Sequence, residues 1–376
     1  MPLKNKNETP GPKPAAAEGR KVAVVRFSAL GDVALVIPVL YNACRSNPDT
    51  EFVMVTRRAF APLFVNPPAN LTVRGIGLRK DYVGMAGMNR LAAELRGHTL
   101  VDLHSVLRTW MLGARMRLQG ARVVVFDKCR AAKRRLVKEG AAACRDTITP
   151  VTERYADAFR DAGLQLTHPF RGLYASTPAD PALYASLHAP KAPGEHWIGV
   201  APFAAHPGKI YPIELMYKAV HAMAAENPLA RVFLFGGGKE EEAILRSIMA
   251  ESTPGKVFCV AGSKIGFAGE LALMNALDVM VCMDSGNMHM AAVAGTRTVS
   301  VWGATHPAAG FEPWTPVGAP KDYHRSVQVH MDCRPCSVFG NKPCRLQRGG
   351  VPPCMSQIDP LTITFAALDI NKKLLI

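Results

Sequence analysis

Short runs of apolar, mostly β-branched residues alternate along the chain with longer segments whose apolar residues recur at helical spacing. The pattern begins with a predicted strand over 22–27, a helix over 33–46 and a strand over 52–56, and further strands are predicted at 100–103 and 122–126. Strands that alternate with helices are typical of βαβ units and parallel sheets. We therefore expect an α/β protein.

A stretch rich in proline and alanine, residues 177–195, interrupts the alternation and predicts a connection between two domains. The pattern then resumes, with predicted strands at 197–201, 232–235, 257–260, 279–283 and 298–302. A length of 376 residues suits two domains. Apolar residues at helical spacing over 360–376 predict a final helix that packs on the body of the protein.

Hydropathy adds a prediction about the compartment. The longest apolar runs, such as residues 33–40, are much shorter than the roughly 18 residues of a membrane-spanning helix. The first 20 residues are polar and lack the apolar core of a signal peptide, so they are expected to form a flexible leader. These features predict a cytoplasmic protein that is soluble or peripheral to a membrane.

The charge is distributed unevenly. The chain has a formal net charge of +15, of which residues 1–150 carry +14 and residues 151–376 carry +1. Such an excess favours a polyanionic partner for the first half, although runs of charge are often only solvated faces. Aromatic residues are not interleaved with the basic ones and no helix-turn-helix pattern is present, so we expect an anionic membrane surface and no nucleic acid.

The loop of residues 28–32 lies between the first predicted strand and the first predicted helix. Gly31 permits a tight turn, and Asp32 falls at the start of the helix, where free amides and the helix dipole favour a carboxylate. One interpretation is a helix cap, which the spacing alone favours. The other is a general base at the mouth of a cleft.

The loop of residues 284–289 (D-S-G-N-M-H) also follows a predicted strand and opens a helix. Free amides at such a helix N-terminus can bind phosphate, and His289 lies about one turn further on. A hydrolase triad is disfavoured because G-x-S-x-G is absent and the residues are too close in sequence. A capping Asp284 with a packed His289 is the structural alternative.

Two other loops follow predicted strands. Lys209 precedes a helix opened by Pro212 and is weak evidence for a phosphate contact. Residues 236–238 are all glycine and are followed by acidic residues, but Walker A spacing and G-x-G-x-x-G are both absent. These absences count against a kinase, an NTPase or a simple dehydrogenase.

Taken in order, these motifs resemble those of the glycosyltransferase family 9 heptosyltransferases. The resemblance runs from about residue 21 to the C-terminus, and its motifs are R-F-S-A-L-G-D at 26–32, D-L-H at 102–104, the Lys209 loop, G-G-G-K-E-E-E at 236–242 and D-S-G-x-x-H at 284–289. It implies a GT-B type fold, in which two Rossmann-like, doubly wound domains face each other across a cleft.

The resemblance also implies a division of the chain. After the leader (1–20), residues 21–180 would form the N-terminal acceptor-binding domain and residues 181–358 the C-terminal nucleotide-sugar-binding domain. Residues 359–376 would form a C-terminal helix that packs back on the body.

The implied activity is inverting transfer of a sugar, most simply heptose from ADP-heptose, to a phosphorylated lipopolysaccharide core. The enzyme would lie at the cytoplasmic face of the inner membrane. No D-x-D motif is present, so we expect neither a metal nor any cofactor besides the nucleotide-sugar co-substrate. The alternative is a divergent, non-catalytic nucleotide-binding module whose basic N-terminal half binds an anionic polymer.

By the same resemblance, Asp32 would be the general base that deprotonates the acceptor hydroxyl. The implied donor-binding residues are Lys209, Glu240, Asp284, Ser285, Gly286 and His289. Among them, Lys209 would neutralise the diphosphate, Asp284 would orient its loop or contact the sugar, and Glu240 would contact the ribose. Acceptor binding is assigned to basic residues of the first half: Arg108, Arg130, Arg134 and Arg135.

The chain departs from the family pattern near the donor. Ala204 and Ala205 stand where familiar heptosyltransferases have hydroxyl residues, which leaves the donor sugar and base open. Glu240 belongs to an acidic run with Glu241 and Glu242, so the residue that meets the nucleotide is also open.

Four cysteines cluster late in the chain: Cys333, Cys336, Cys344 and Cys354. The C-x-x-C pair allows a zinc site, but the second pair lacks that form. We favour a buried cluster, reduced or partly disulfide-bonded, that braces a proline-rich loop.

Overall fold

The computed structural model describes residues 19–145, 147–347 and 350–369. Residues 1–18 of the predicted leader lie outside the described residues, and Arg20 already begins the first strand. Residues 370–376, the end of the predicted C-terminal helix, also lie outside them.

The first half of the chain builds a parallel sheet in the order β3-β2-β1-β4-β5. Its strands are β1 (Arg20–Val25), β2 (Thr50–Arg57), β3 (Leu71–Ile76), β4 (Thr99–Asp102) and β5 (Val123–Val125). Its helices are α1 (Leu30–Ala34), α2 (Val36–Ser46), α3 (Gly84–Glu94), α4 (Leu107–Leu118), α5 (Arg130–Glu139) and α6 (Val151–Asp161). Helices α2 and α6 cover one face of the sheet, and α3 and α4 cover the other.

The second half builds another parallel sheet, in the order β11-β10-β9-β6-β7-β8. Its strands are β6 (His196–Ala201), β7 (Ala230–Leu234), β8 (Val257–Cys259), β9 (Val279–Met283), β10 (Thr298–Val301) and β11 (Arg325–Val327). Its helices are α7 (Ile213–Glu226), α8 (Lys239–Ala250), α9 (Gly266–Ala276), α10 (Gly286–Ala294), α11 (Pro353–Ser356) and α12 (Pro360–Leu368).

Burial explains why the central strands were visible in the sequence. All five residues of β9 are buried, and residues 22–25 of β1 are completely inaccessible to solvent. Strands covered by helices on both faces are apolar throughout, and such runs were easily recognised. The prediction of two doubly wound, parallel α/β units is confirmed.

Strands β3 and β11 were not predicted, and α1 and α2 were predicted as one helix. Both strands lie at sheet edges and are only partly buried, so neither shows a continuous apolar run. The predicted helix over 33–46 starts earlier, at Leu30, and is divided at Leu35, although apolar residues continue across the division.

The two halves meet where α1 faces α10. A Cβ added at Gly31 would lie 2.5 Å from Cδ2 of His289, and one added at Gly286 would lie 2.8 Å from Cδ2 of Leu30. Glycine is therefore required at both positions, because α1 and α10 approach each other too closely for a side chain. Because α1 follows β1 and α10 follows β9, the carboxyl edges of the two sheets face each other, which is where open α/β sheets bind ligands.

Helix α12 packs on the second half. It contacts α7 and strands β9, β10 and β11, and the Thr364 hydroxyl donates a hydrogen bond to the carbonyl of Ala219 at 3.3 Å. In the part of the chain that the structure describes, no helix is both long enough and apolar enough to cross a bilayer.

Candidate active site

Asp32 lies in the first turn of α1, whose N-cap residue is Ala29. Its Oδ2 accepts a hydrogen bond from the Ala29 amide at 3.2 Å and lies 2.5 Å from a guanidinium nitrogen of Arg26. Within the described residues, Oδ1 has no protein donor. Asp32 thus stabilises the helix start through one oxygen and leaves the other available to a ligand, so the two interpretations of this residue are compatible.

Arg26 is a buried cation that holds Asp32 in place. Burial opposes its charge, but Tyr155 and Asp32 outweigh this, and the pKa of Arg26 is raised. Its guanidinium also donates to the carbonyl of Leu103, in the D-L-H motif. The Asp32 carboxylate therefore faces a permanent positive charge from the end of β1.

The D-L-H motif forms a tight turn beside Asp32. Oδ1 of Asp102 accepts hydrogen bonds from the backbone amides of His104 and Ser105, both at 2.8 Å, and Nε2 of His104 lies 3.3 Å from the Ser28 hydroxyl. Burial, aided by nearby cations of which Arg26 is the strongest, lowers the pKa of His104 to about 3. His104 is therefore neutral at physiological pH.

The N-terminus of α10 presents polar groups that lack partners. Ser285 is the N-cap residue, and its Oγ and Nδ1 of His289 are buried without a hydrogen-bond partner among the described residues. Burial lowers the pKa of His289 to about 4, so its ring is neutral. Unsatisfied polar atoms at a helix N-terminus are suited to binding an anion.

Lys209 and Asp284 form a largely buried ion pair beside the N-terminus of α10, since Asp284 directly precedes Ser285. Lys209 Nζ lies 2.7 Å from Asp284 Oδ2, and the side chains are 14% and 5% exposed. Gly340 packs against the aliphatic part of the lysine. Asp284 therefore positions Lys209.

A cavity of about 380 Å³, here called the cleft cavity, lies between the two halves. Its walls include nearly all the predicted catalytic and donor residues: Asp32, Lys209, Asp284, Ser285, Gly286 and His289. Ala204 and Ala205, which stand where the family pattern has hydroxyl residues, also line the cleft cavity.

Glu240 is the exception among the predicted donor residues. It is exposed and is not part of the wall of the cleft cavity, whereas Glu241 is, and Oε2 of Glu241 accepts a hydrogen bond from the Gly237 amide at 2.8 Å. Glu242 pairs with Arg246 at 2.8 Å. Of the three acids, Glu241 is therefore the one placed to meet a ligand.

A second cavity of about 450 Å³, here called the basic cavity, adjoins the first. The two cavities share Asp32, Phe311 and Phe339 as wall residues. Of the predicted acceptor residues, Arg130 and Arg134 line the basic cavity.

The other two predicted acceptor residues lie elsewhere. Arg135 pairs with Glu139 one turn along α5, and Arg108 lies half-buried on α4. Neither is part of the wall of the basic cavity. The structure therefore divides the predicted acceptor set, and only Arg130 and Arg134 are brought close to Asp32.

The wall of the basic cavity also has four basic residues outside the predicted acceptor set: Arg26, Lys128, Lys133 and Arg154. Arg154 did carry a signal: it lies on the apolar face of α6, between the buried residues Val151 and Tyr155. Lys133 belongs to a run of basic residues along α5, and nothing in the sequence distinguishes it from its exposed neighbours Arg134 and Arg135.

The four late cysteines line a separate cavity of about 370 Å³, next to the buried Arg334. All nine cysteines of the chain are unpaired. Burial raises the pKa of the Cys354 thiol to about 11. In the described ranges, no three His, Cys, Asp or Glu side chains are grouped closely enough to hold a metal ion.

Comparison with known structures reveals the same architecture. A glycosyl transferase family 9 protein from Veillonella parvula is similar with a TM-score of 0.68 and 15% identity, covering 94% of this chain and 98% of that one. The ADP-heptose lipopolysaccharide heptosyltransferase II of E. coli is similar with a TM-score of 0.64 and 16% identity, covering 95% of this chain and 100% of that one. The iron-containing dodecameric glycosyltransferase TibC of enterotoxigenic E. coli is similar with a TM-score of 0.52 and 12% identity, covering 95% of this chain and 77% of that one.

At such low identities these likenesses show the fold alone, and they confirm the predicted GT-B type architecture. No curated protein sequence matches the chain. The family model described as glycosyltransferase family 9 (heptosyltransferase) matches residues 117–339, more than half of the chain. The match includes Lys209 and the 284–289 loop and begins after Asp32. The chain belongs to glycosyltransferase family 9.

Proposed function

We propose that this glycosyltransferase transfers heptose from ADP-heptose to a phosphorylated lipopolysaccharide core, with inversion at the anomeric carbon and without a metal ion. One observation carries the proposal: the unpaired oxygen of Asp32 and the unsatisfied groups at the N-terminus of α10 belong to one cavity between the two halves. Family membership and the similarity to the E. coli ADP-heptose lipopolysaccharide heptosyltransferase II support the choice of donor and acceptor.

In this proposal the donor diphosphate lies at the N-terminus of α10. Its oxygens accept hydrogen bonds from backbone amides, including that of Gly286, and from the Ser285 hydroxyl, while His289 fixes their position as a neutral ring. Lys209, held by Asp284, meets the charge that develops on the leaving diphosphate. Donors fixed in place before the reaction stabilise such charge without reorganisation.

The acceptor is activated from the other half of the molecule. Asp32 takes the proton of the acceptor hydroxyl, whose oxygen attacks the anomeric carbon as the bond to the diphosphate breaks. Attack from the face opposite the leaving group inverts the configuration. Arg26 pairs with the Asp32 carboxylate and positions it on α1.

Nucleotide recognition is assigned to the start of α8. Glu241 lines the cleft cavity and its carboxylate is already held by the Gly237 amide, so we assign the ribose contact to Glu241 in place of Glu240. Carboxylates are suited to this because they accept hydrogen bonds from two adjacent hydroxyls.

The catalytic roles are tested with Asp32→Asn, which keeps the shape of the side chain but removes its basicity. Transfer from ADP-heptose should fall by about 10²–10⁴-fold, the usual contribution of a general base, while ADP still raises the melting temperature. Asp157→Asn, a surface carboxylate on α6, is the matched control. Undiminished turnover in Asp32→Asn would overturn the assigned role.

Metal independence needs its own measurement, since one similar structure, TibC, is described as iron-containing. The purified protein should keep its activity after dialysis against a chelator. Loss of activity that a divalent or ferric ion restores would contradict the proposal, and stoichiometric metal without that loss would indicate a structural site, with the four late cysteines as the first candidates.

The proposed location is the cytoplasmic face of the inner membrane, with the basic first half towards anionic lipid. The net charge of +14 in residues 1–150 supports this, because each basic residue near such a surface contributes about 1 kcal/mol. Co-sedimentation with vesicles that contain phosphatidylglycerol, and not with purely zwitterionic ones, is the expected result.

A further inference from the structure

Helix α4 carries apolar residues on two opposite faces. One face packs on the first sheet through buried residues: Thr109, Leu112, Gly113 and Met116. On the other face, exposed apolar side chains follow helical spacing and form what is here called the α4 stripe: Leu107, Trp110, Ala114 and Leu118. Leu107, Trp110 and Leu118 are 70%, 48% and 80% exposed. Large apolar side chains that are grouped on a surface usually mark a place where something binds.

Basic residues border the α4 stripe on both sides. Successive helical residues are about 100° apart, which places Arg108 and Arg115 on one side of the stripe and Arg117 on the other. The helix has no acidic residue, and among the described residues no carboxylate lies within 4 Å of these three guanidinium groups. An apolar stripe bordered by unpaired cations is complementary to a bilayer of anionic lipid, which has an apolar interior beneath an anionic surface.

The start of α3 adds exposed apolar side chains at the same end of α4. Val83 and Met85 are 55% and 64% exposed, and α3 packs beside α4. Both helices connect parallel strands of the first sheet, so they run in the same direction and begin at its carboxyl edge. The exposed side chains at the two helix starts therefore lie at the edge of the sheet that also faces the cleft cavity.

A hydrogen bond links the α4 stripe to the turn beside Asp32. Nε1 of Trp110 donates to the Ser105 hydroxyl at 3.3 Å, and the Ser105 amide donates to Asp102 of the D-L-H motif at 2.8 Å. The polar edge of the indole is thus held by the protein while about half of the side chain remains exposed. Tryptophan is enriched at the boundary between lipid headgroups and acyl chains, because its ring is amphipathic.

We propose that the α4 stripe inserts into the boundary between headgroups and acyl chains of an anionic bilayer, while Arg108, Arg115 and Arg117 bind lipid phosphates around it. The inference rests on the proposed membrane location and deepens it, because it adds a defined apolar contact to attraction by net charge. It also gives a contact to Arg108, which is not part of the wall of the basic cavity. Insertion at this edge of the sheet holds the cleft close to the membrane that anchors the proposed acceptor.

Trp110 itself reports on the insertion. Of the four tryptophans, Trp197 and Trp302 are completely buried and Trp314 is partly buried, so Trp110 is the most exposed. Vesicles that contain phosphatidylglycerol should shift its fluorescence to shorter wavelength, and lipids brominated on their acyl chains should quench it. The shift should be absent in Trp110→Phe. Binding to the vesicles with neither shift nor quenching would overturn the inference.

The double variant Leu107→Gln with Leu118→Gln removes apolar area from the stripe and leaves its charge unchanged. Both side chains are exposed, so the fold should keep its stability. Affinity for vesicles that contain phosphatidylglycerol should fall by about tenfold or more, because two leucines are no longer transferred from water to the bilayer. Val317→Gln, at a residue of the second half that is 79% exposed, is the matched control and should bind as the wild type does. Equal affinity of the double variant and the control would contradict the inference.

Light scattering without lipid tests the other way of covering the α4 stripe, which is contact with a second copy of the chain. The wild type and the double variant should have the same mass in solution. A dimer that the double variant abolishes would assign the stripe to an interface between protein chains and would refute insertion into lipid.

Activity measurements separate this inference from the proposed function. With a lipid-free core oligosaccharide as acceptor, the double variant should have the kcat of the wild type and the same KM for ADP-heptose. With an acceptor anchored in vesicles, its rate should fall. If the double variant binds vesicles normally and is fully active on both acceptors, the surface is refuted and the transferase function stands. If Trp110 reports insertion but no transfer from ADP-heptose is detected, the surface stands and the proposed function is wrong.

Discussion

The cleft cavity and the basic cavity meet at Asp32, but charge is distributed differently in their walls. The cleft cavity, the proposed donor side, has a helix N-terminus, a neutral His289 and a lysine whose charge is already balanced by Asp284. The basic cavity instead gathers five cations without acidic partners in its described walls. The difference teaches that the net charge of +14 in residues 1–150 has a local meaning, because part of it is concentrated beside the proposed base.

The largest effect is expected from removing Lys209, which neutralises the buried Asp284. Lys209→Ala should abolish transfer and should also lower the free energy of unfolding by about 3 kcal/mol, because Asp284 is left as an unpaired buried charge. Denaturant unfolding measures the second quantity. The double variant Lys209→Ala with Asp284→Ala should regain most of the stability and none of the activity; if the double variant were as unstable as the single one, the pair would not be balanced as described.

A smaller effect concerns the neutral histidine of the donor side. Because the pKa of His289 is about 4 in the folded protein and about 6.5 when unfolded, the unfolded chain binds more protons at acidic pH. This residue should therefore stabilise the fold less as pH falls below 6.5, by about 2 kcal/mol between pH 7 and pH 5.

Unfolding curves at pH 7, 6 and 5 would measure this dependence. In His289→Gln, the free energy of unfolding should fall less steeply between pH 7 and pH 5, because the contribution of His289 is removed. An unchanged slope in that variant would show that His289 has the same pKa in the folded and the unfolded protein, and the contrast between a neutral cleft cavity and a cationic basic cavity would fail.

The smallest effect distinguishes neighbouring acids at the start of α8. Glu241→Gln should raise the KM for ADP-heptose about tenfold, which corresponds to about 1.4 kcal/mol, whereas Glu240→Gln should leave it unchanged. Steady-state kinetics with varied donor concentration measures both. The reverse order would return the ribose contact to Glu240.

The predictability of this site depends on how its residues are placed in sequence. Asp32 and the 284–289 loop could be found because each directly follows an apolar strand and opens a helix, so a short stretch of sequence contains the whole local arrangement. The choice between Glu240 and Glu241 could not be made, because successive helical residues point about 100° apart and the first turn was not fixed to that accuracy.

The basic cavity was harder to predict for a different reason. Lys133 lies on α5, Arg154 on α6 and Phe339 in the late cysteine-rich segment, and only packing of separate elements brings them together. Fold class was readable from the buried strands, while the edge strands β3 and β11 were not, since partial burial leaves no apolar run.

Gly31 and Gly286 allow the two halves to approach each other closely at the active site. Each carries no side chain at the point where the two halves touch, so the distance between the proposed base and the diphosphate site is limited by main-chain atoms, the His289 ring and the Leu30 side chain. A single additional methyl group at either position would hold the halves apart, on a scale at which reacting atoms lose their alignment. Substrate specificity can therefore vary through the cavity walls, while these two positions have no freedom to grow.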